Sequence, residues 1–571
     1  MSGGDGRYGG YALKLGDNDA ERRYGALVRP NQPGDPLPAR GSPGFVAQLQ
    51  QDLTTLGFLE PGEGTPGTFD TIVKWAVREF QIVASALGKG GAALLNPAYS
   101  GPLSAAQLGR HTLVDKEIYS KSEGISGVAG QGTTAAISAW IDGHVRCPVV
   151  FQSYETFKSP WRFGKLIEEG FWQASRRFRP GASGSFPCVF ACDFTGDYDT
   201  LPAPDADKIP KAPIGARCYP VGHRAVYSYD DHQTVGPTVK YDIEVLVVSR
   251  RAAVAVSPTT LIGKQWTALT DAEKSTYRVI RAVAQAECTG KYDAVNAYDD
   301  GWISAGLYHP TAFTRVSTDQ VTKAELGAFL AYVKSQAAST FGDLFENRGV
   351  SVKELWGDKT IYNSSQAKYE ANISFQGADN QFTAVTSASD ADYLRNWPWF
   401  YRFEMAFRAV DKLRLLWWPY GRQRLADILS TPWPAPAPGG GKGVTIGNVF
   451  RSEASVAALL RWHVLMPKHI VQGGQAGAMV QKIFAKSKID PKLMLSKYGS
   501  TEEQKLLDAI HGVAATAGSP ELKDTLNRMR AGSRGQAGGT SDPGATQPQL
   551  GIDPSFQFFA DGIPFPRTVS A

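Results

Sequence analysis

Residues 46–58 read VAQLQQDLTTLGF, and residues 67–81 read GTFDTIVKWAVREFQ. In the first stretch the apolar residues Val46, Leu49, Leu53 and Leu56 recur at helical spacing and would share one face of a helix. The glycine at position 57 then supplies a natural helix stop. The second stretch repeats this pattern at Val73, Ala76, Val77 and Phe80. The sequence therefore predicts a compact helical unit built on two amphipathic helices.

These two stretches resemble the three-helix peptidoglycan-binding domain found on many cell-wall hydrolases. The family pattern is V-x-x-L-Q-x-x-L-x-x-L-G-[FY], followed by G-x-F-G-x-x-T-x-x-A-V-x-x-F-Q. The matching positions that we assign to a wall-binding module are Leu49, Gln50, Gly57, Gly67, Phe69, Phe80 and Gln81. Asp70 and Val73 depart from the pattern, which has a Gly and a Thr there. Most of these residues would be core, and some such modules serve only as protein–protein adaptors.

The 571 residues suffice for three or four domains of ordinary size, and the succession of helical and β-rich segments favours a multidomain α+β protein. Residues 41–112 would form the small helical module. Short β-branched and aromatic runs separated by turn residues predict a β-rich middle region. The remaining predicted segments are an extended polar arm at 1–40, the β-rich region at 113–255, a mainly α domain at 256–530 and a flexible tail with a Phe-rich end at 531–571.

The segment 270–309 contains the residues that point to catalysis. Thr270 and Glu273 form a capping box that starts a helix, and Glu287 lies near its end on the same apolar face as Ile280 and Ala284. Burial and the negative end of the helix dipole both disfavour a charged carboxylate there. We therefore expect Glu287 to keep its proton near neutral pH, as a general acid must.

A hairpin is predicted directly after this helix, with its turn at 298–302 and its return strand at 303–307. A glutamate ending a helix, then an aspartate near a hairpin tip and a serine before a glycine, resembles the lysozyme superfamily. The corresponding residues are Glu287, Asp300 or Asp299, Ser304 and Gly306. Residues 265–520 further resemble wall-hydrolase-like proteins of phages and contractile injection systems, including the LLRWH segment at 459–463. Cys288 and Thr289 replace the Ser-Gly usual in that group.

The resemblance implies a muramidase-like glycoside hydrolase with a β-hairpin at the active site of a lysozyme-like domain. Glu287 would protonate the glycosidic oxygen, Asp300 would stabilise the developing positive charge, and Ser304 would orient a water molecule. If neither aspartate reaches the site, a lytic transglycosylase that uses Glu287 alone becomes the better interpretation. The residues assigned to substrate binding are Tyr298, Trp302, His309, Trp397 and Trp399.

Structural interpretations of the same residues remain open. Glu287 could simply pair with Arg281 or Lys291 at the helix end. The tryptophans are more often core than sugar platforms, and the LLRWH residues are expected to be structural. The whole chain could also be a non-catalytic structural or cargo component of a phage tail or injection apparatus that grips the wall or partner proteins. Its Phe-rich end could dock onto this protein or onto such a partner.

Composition and motifs exclude several other classes. A net charge of +5, from 60 basic and 55 acidic residues, does not fit a strongly basic nucleic-acid binder. The sequence shows no apolar run that spans a membrane and no secretory signal, so we expect delivery to the wall by a lysis or injection apparatus, or a place in a virion. Neither a zinc-peptidase helix motif nor a phosphate-binding loop occurs, and no cofactor is expected.

Cysteine chemistry offers two weaker alternatives. Cys188, Cys192, Cys218 and His223 could supply four zinc ligands, but their spacing within strands is poor and buried apolar cysteines are favoured. Cys288 with His309 could suggest a cysteine peptidase. A nucleophilic cysteine usually lies at a helix N-terminus, where the dipole favours the thiolate, and Cys288 lies at the opposite end. No metal site is therefore predicted.

Overall fold

The computed structural model describes residues 8, 11–21, 24, 43–56, 58–59, 64–87, 124–142, 254–288, 290–292, 295–296, 301–395, 399, 402–403, 406–407, 410–516, 522–523, 526, 529 and 550–564, together with the backbone of five strands between 149 and 243. Helices dominate the N-terminal part, and helices and strands mix further along. This content agrees with the predicted multidomain α+β class. Within these ranges no helix combines the length and apolar character that a membrane crossing requires.

The N-terminal module is built on helices α1 (Phe45–Thr55), α2 (Thr71–Leu87) and α3 (Gln131–Asp142). The predicted apolar faces of α1 and α2 are fully buried. Trp140 of α3 closes the core, with its ring 5.1 Å from Phe80 and 6.1 Å from Phe58. Because α3 completes this core, the module extends past the expected boundary at residue 112, into what was predicted as the β-rich region.

The N-terminal arm contributes to the same module, although its polar composition predicts an extended segment. Helix α1 begins after Gly44, which has no side chain to cap it. Asp19 supplies the missing acceptors, taking hydrogen bonds from the backbone N–H of Val46 at 3.1 Å and of Ala47 at 2.8 Å. Leu13 is buried as well, and it pairs through its backbone with Ala129. The described part of the arm is therefore structural.

The middle region contains five described strands, which form two antiparallel sheets. Strands β1 (Val149–Phe157), β2 (Phe186–Phe194) and β3 (Ala216–Tyr219) form one sheet in that order. The second sheet pairs β4 (Ala225–Ser228) with β5 (Lys240–Ile243).

The C-terminal body follows from residue 254 and contains twelve described α-helices. These are α4 (Pro258–Ile262), α5 (Asp271–Cys288), α6 (Glu325–Gln336), α7 (Ala338–Leu344), α8 (Ala388–Ala391), α9 (Asp411–Leu415), α10 (Trp417–Leu429), α11 (Ile446–Val449), α12 (Glu453–Leu465), α13 (Pro467–Ile470), α14 (Ala478–Lys486) and α15 (Ser500–Ala514). The capping box at Thr270 and Glu273 starts α5 as predicted.

Short strands are scattered among these helices. The pairs are β6 (Val295–Asn296) with β7 (Ser304–Ala305), β8 (Thr314–Arg315) with β9 (Val321–Thr322), β11 (Tyr362–Asn363) with β12 (Lys368–Tyr369), and β15 (Val471–Gln472) with β16 (Gln475–Ala476). A three-stranded antiparallel sheet also forms from β10 (Val350–Val352), β13 (Ile373–Gln376) and β14 (Phe382–Ala384). The strands of this sheet are too short to show a period, so the sequence does not predict it.

Helices α5 and α12 form the central pair of the body. Arg278 of α5 binds Glu453 of α12, with its Nε 2.9 Å from Oε2. A second ion pair joins Glu287 to Arg461. Glu287 lies nine residues after Arg278 in α5, and Arg461 lies eight residues after Glu453 in α12. Since contacts advance in the same direction on both helices, the two run parallel, with one ion pair at the start of α12 and the other at the end of α5.

The C-terminal segment 550–564 packs against this helix pair and against α10. Its backbone N–H groups at Gln557 and Phe559 donate to the hydroxyls of Ser275 and Thr276 at 3.2 and 2.8 Å. Arg422 of α10 donates to the carbonyl of Phe559 at 2.9 Å. The sequence left open whether the Phe-rich end docks onto this protein or onto a partner. The described part of this segment docks onto this protein.

The module is fixed to the body through the outer face of α2. Glu79 forms a bidentate ion pair with Arg402, with Nη1–Oε1 at 3.0 Å and Nη2–Oε2 at 2.5 Å, and Tyr393 donates its hydroxyl to Oε1 at 2.7 Å. Both charged side chains are less than a tenth exposed. Arg78 reaches the backbone carbonyls of Gly349 and Gln376. A buried network of ion pairs and hydrogen bonds thus joins the two parts.

We expect Glu79→Gln to lower the free energy of unfolding by about 3 kcal/mol, because it leaves the Arg402 guanidinium buried without a counter-charge. Chemical denaturation followed by tryptophan fluorescence measures this. The control is Asp271→Asn, which removes the exposed partner of Lys274 and should cost at most about 0.5 kcal/mol. Equal effects of the two substitutions would show that the network does not join the module to the body.

Candidate functional site

The motif glutamines of the module tie its loops to its helices. The Gln50 amide donates to the carbonyl of Thr65 at 2.9 Å and accepts from the N–H of Gly67 at 2.8 Å. The Gln81 amide likewise donates to the carbonyl of Val128 and accepts from the N–H of Gly127. Both side chains therefore stabilise loops, and the matching residues Leu49, Phe69 and Phe80 are buried core. Gly57 lies outside the described residues.

The two positions that depart from the family pattern also have structural roles. Asp70 caps α2, since its Oδ1 accepts from the N–H groups of Ile72 and Val73, each at 3.0 Å. The Val73 side chain is completely buried. Gly67 has a φ of +67°, which glycine adopts without strain. These departures therefore preserve the fold of the module.

The second candidate site lies at the end of α5, where the Glu287 side chain is 12% exposed. Its partner is the Arg461 guanidinium, which is only 1% exposed and binds Oε1. The structural alternative paired Glu287 with Arg281 or Lys291, and the structure adds Arg461 from α12 as a partner. Arg281 also donates to Gln285 at 2.8 Å. A neighbouring guanidinium favours the ionised carboxylate, so it opposes the dipole and burial effects expected from the sequence.

The loop 301–309 packs beside this helix end, since the Cys288 thiol lies 3.5 Å from the carbonyl of Leu307. Trp302 and His309 both have left-handed backbone, with φ of +66° and +46°, which is rare for such bulky residues. Gly306 has a φ of +85°, and a Cβ there would lie 2.3 Å from the Trp417 ring. Backbone strain of this kind is concentrated at functional sites.

Ser304, the predicted water-orienting residue, lies in β7 of this loop. Its side chain is buried, and its hydroxyl has no hydrogen-bond partner among the residues that the structure describes. A buried hydroxyl without a partner carries a free-energy cost, which a bound water or ligand would relieve.

Two of the tryptophans assigned to sugar binding are core residues, which corrects that assignment. Trp302 is 1% exposed, and its indole N–H donates to Asp392 at 2.8 Å. Trp399 is completely buried, and the guanidinium carbon of Arg402 lies over it, 4.9 Å from the centroid of the Trp399 ring. Neither face is open to a saccharide. His309 is half-buried. The remaining predicted residues, Tyr298, Asp299, Asp300 and Trp397, lie outside the described residues.

The structure also bears on the two cysteine alternatives, a cysteine peptidase at Cys288 and a zinc site in the middle region. Burial raises the pKa of the Cys288 thiol from 9.0 to about 12, so it is a poor nucleophile, which argues against a cysteine peptidase. In the middle sheet Cys192 and Cys218 are register partners of β2 and β3, while His223 lies outside the described residues. Among the residues whose side chains are described, no group of three or more His, Cys, Asp or Glu could hold a metal ion.

A buried polar cluster lies next to this loop. Arg424 of α10 binds Glu325 through Nη2–Oε1 at 3.0 Å and donates through Nε to Nδ1 of His463 at 3.0 Å. Since Nδ1 accepts, Nε2 carries the proton and donates to the carbonyl of Gln366 at 2.7 Å. Burial and the adjacent Arg424 hold the pKa of His463 well below 6.5, so the imidazole is neutral.

Comparison with known proteins bears on the module. Residues 42–84 match the family described as "Putative peptidoglycan binding domain". This confirms the predicted wall-binding module, although the match covers a small part of the 571-residue chain. No curated protein and no solved structure matches the chain. Cell-wall binding is thus supported, and peptidoglycan is the partner that the module indicates.

The raised pKa of Cys288 predicts that iodoacetamide will leave this residue unmodified in the folded protein. Near pH 8 only about one thiol in 10⁴ would be ionised, and the side chain is also inaccessible. Mass spectrometry of the peptide containing Cys288 checks this, with the same reaction in denaturant as the control. Rapid labelling of Cys288 under native conditions would contradict the burial.

The neutral His463 predicts a loss of stability on acidification. Below about pH 6.5 the unfolded chain takes up a proton at this histidine and the folded protein does not. Stability should therefore fall as the pH decreases, by about 1.4 kcal/mol per pH unit from this group. The test is to measure denaturation midpoints between about pH 7.5 and 5 for the wild type and for His463→Gln. The glutamine can keep both hydrogen bonds but does not titrate, so stability should fall less steeply with pH in the variant. An unchanged slope in that variant would show that His463 titrates normally.

Proposed function

We propose that this protein binds peptidoglycan through its N-terminal module and cleaves the wall glycan with its C-terminal body, as a muramidase-like glycoside hydrolase. The observation that carries this proposal is the position of Glu287. It ends the central helix of the body, next to a strained loop that contains the buried hydroxyl of Ser304. A rigid helix end beside such a loop is a geometry that enzymes use to hold an acid in place.

In the proposed reaction Glu287 donates a proton to the glycosidic oxygen as the C–O bond breaks. One aspartate of the 298–302 turn, Asp300 or Asp299, stabilises the oxocarbenium-like charge or positions the water that completes hydrolysis. Ser304 orients that water through its hydroxyl. Without a contribution from an aspartate, an intramolecular attack by the substrate's own hydroxyl would make the enzyme a lytic transglycosylase.

Arg461 defines what this mechanism requires. Because a neighbouring guanidinium favours the charged carboxylate, the mechanism requires Glu287 to hold a proton, in spite of Arg461, when the glycosidic bond breaks. Oε1, the oxygen that faces Arg461, is fully buried, so the remaining exposure of Glu287 lies on its other atoms. Arg461 would then hold one oxygen while the rest of the carboxyl group faces the substrate.

The same ion pair favours a second candidate function, a non-catalytic wall-binding component. A glutamate held by a buried arginine is a common structural device for joining two helices. In that case the body would serve assembly or cargo roles, in a phage tail or injection apparatus, and the module would supply the grip on peptidoglycan.

A zymogram on purified peptidoglycan distinguishes the two functions. We expect the wild-type protein to clear the wall and Glu287→Gln to lose at least about 100-fold of the activity, as the loss of a general acid does. The matched control is Glu453→Gln, which breaks the other ion pair between α5 and α12 and should retain most of the activity.

The outcomes separate clearly. Loss of activity in Glu287→Gln alone supports catalysis by this carboxyl group, whereas equal loss in both variants assigns it to helix pairing. Mass spectrometry of the products separates hydrolysis, which adds water, from transglycosylation, which leaves an anhydro sugar. If wild-type protein binds the wall and releases nothing, the hydrolase proposal fails and the non-catalytic function stands.

A further inference from the structure

The surface formed by α13, α14 and the loop after α14 concentrates positive charge. Residues 466–498 contain six lysines and one aspartate, with no arginine and no glutamate. The stretch therefore has a net charge of +5, as large as that of the whole 571-residue chain. All six lysines are exposed, and we call them the basic face: Lys468, Lys482, Lys486, Lys488, Lys492 and Lys497.

The fold of α14 turns its lysines outward. This helix buries Val480 and Ile483 in the core of the body. Lys482 and Lys486 are one helical turn apart, and both lie on the exposed side. The apolar positions of the helix thus fix the direction in which its charges point.

The loop that follows α14 extends the same charged surface. It is held against the body, because the backbone N–H of Gly439 donates to the carbonyl of Pro491 at 2.7 Å. Lys488 and Lys492 lie on either side of this anchoring point, and both side chains are exposed. The charges of the loop therefore have a fixed place next to those of the helix.

Few nearby groups offset these charges. Lys486 donates to a backbone carbonyl of α15 at 2.8 Å, and the other five ammonium groups have no ion-pair or hydrogen-bond partner among the described residues. Asp490 accepts from the backbone N–H of Lys492 at 2.9 Å. On the neighbouring α15, Asp508 and Glu502 each bind a side chain of their own helix. Since like charges repel, an anionic partner would stabilise this surface.

The side chains around the lysines narrow the choice of anionic partner. Binding to a membrane surface needs apolar side chains as well as charge, but Met494, at 54%, is the only exposed large apolar residue of 466–498. Nucleic acids are read by arginines and by stacking on free aromatic rings. Here Phe484 packs on Trp433, and Tyr498 is 3% exposed. Lysines alone act as point charges, which suits separate carboxylates along a polymer.

We infer that the basic face binds the free carboxylates of peptidoglycan stem peptides and forms a second contact with the wall. The inference rests on the proposed function, because the N-terminal module is the part that brings the protein to peptidoglycan. Each exposed charge contact is weak by itself. Once the module holds the wall close to the body, the local concentration of carboxylates is high, and several weak contacts add to the grip.

Co-sedimentation of the full chain with purified peptidoglycan, stripped of other wall polymers and kept on ice, tests the inference. The variant combines Lys482→Gln, Lys488→Gln and Lys492→Gln, whose ammonium groups hold no contact within the fold. We expect it to bind about tenfold more weakly than the wild type at low salt, because three exposed charge contacts are lost. This difference should vanish at about 0.5 M salt, where such contacts are screened.

The matched control combines Lys353→Gln, Lys359→Gln and Lys412→Gln. These lysines are also exposed but lie outside the basic face, so the net charge changes by the same amount. Binding by the control should stay within about twofold of the wild type. A second arm uses peptidoglycan whose carboxyl groups have been converted to neutral amides. The wild type should bind this wall as weakly as the variant binds untreated wall. Circular dichroism verifies that all variants are folded.

Equal binding by the variant and the wild type, equal losses in the two triple variants, or full binding to the amidated wall would overturn the inference. Salt-sensitive binding that appears only on wall still carrying phosphate polymers would also overturn it, since the partner would then be a phosphodiester. These results do not depend on the zymogram, because a protein that cuts nothing can still use the basic face. Cleavage with salt-insensitive binding would leave the proposed function and remove only this inference.

Discussion

Two carboxylate–guanidinium pairs hold helices α5 and α12 parallel, and the rest of the body is arranged around them. Glu453 and Arg461 are both nearly inaccessible, so each pair has one member that water hardly reaches, whereas the partners Arg278 and Glu287 are 30% and 12% exposed. Breaking one partner of such a pair costs far more than an exposed ion pair contributes. The Glu287–Arg461 contact sets the position of the α5 end, and with it the position of Glu287. The same arginine that places this carboxyl group also favours its charged form, so position and chemistry are linked through one contact.

The second organising contact joins the module to the body. The α2 face that contains Lys74, Arg78 and Glu79 is covered by residues 349–402. Peptidoglycan must therefore reach the module from another side. Because the junction is a buried hydrogen-bonded network and not a bare linker, the module holds a fixed direction relative to the body. A wall strand bound by the module would approach the body at a defined angle.

Local sequence patterns correctly predicted the features that depend on neighbouring residues alone. The apolar faces of α1 and α2, the capping box of α5 and the position of Glu287 at its end all follow from helical spacing and are observed. Long-range contacts were not predictable. Glu287 pairs with Arg461, 174 positions away by residue number, and no periodicity in either helix indicates this. The same holds for Asp19, which caps a helix from outside it, and for the short strands of the sheet β10–β13–β14.

The tryptophans show a different limit. Tryptophan is a residue type that can stack on a sugar ring, but only if the indole is exposed. The exposure of Trp302 and Trp399 is set by residues distant in sequence. Trp302 finds its partner in Asp392, and Trp399 in Arg402. Aromatic residues that do line an open groove beside α10, Phe556 and Phe558, lie in a segment that the sequence predicts to be a flexible tail.

The docking of residues 550–564 has a consequence for how the chain is made. Helix α5 is synthesised well before the backbone groups that bond to Ser275 and Thr276, which follow nearly 300 residues later. Contacts of such separation are slow to form because a long loop must close first. During translation, this face of the body stays uncovered until residues 550–564 leave the ribosome. A chain cut before residue 550 would therefore expose the hydroxyls of Ser275 and Thr276 and the ring of Trp418, which makes proteolysis or chaperone binding at this surface a sign of an unfinished body.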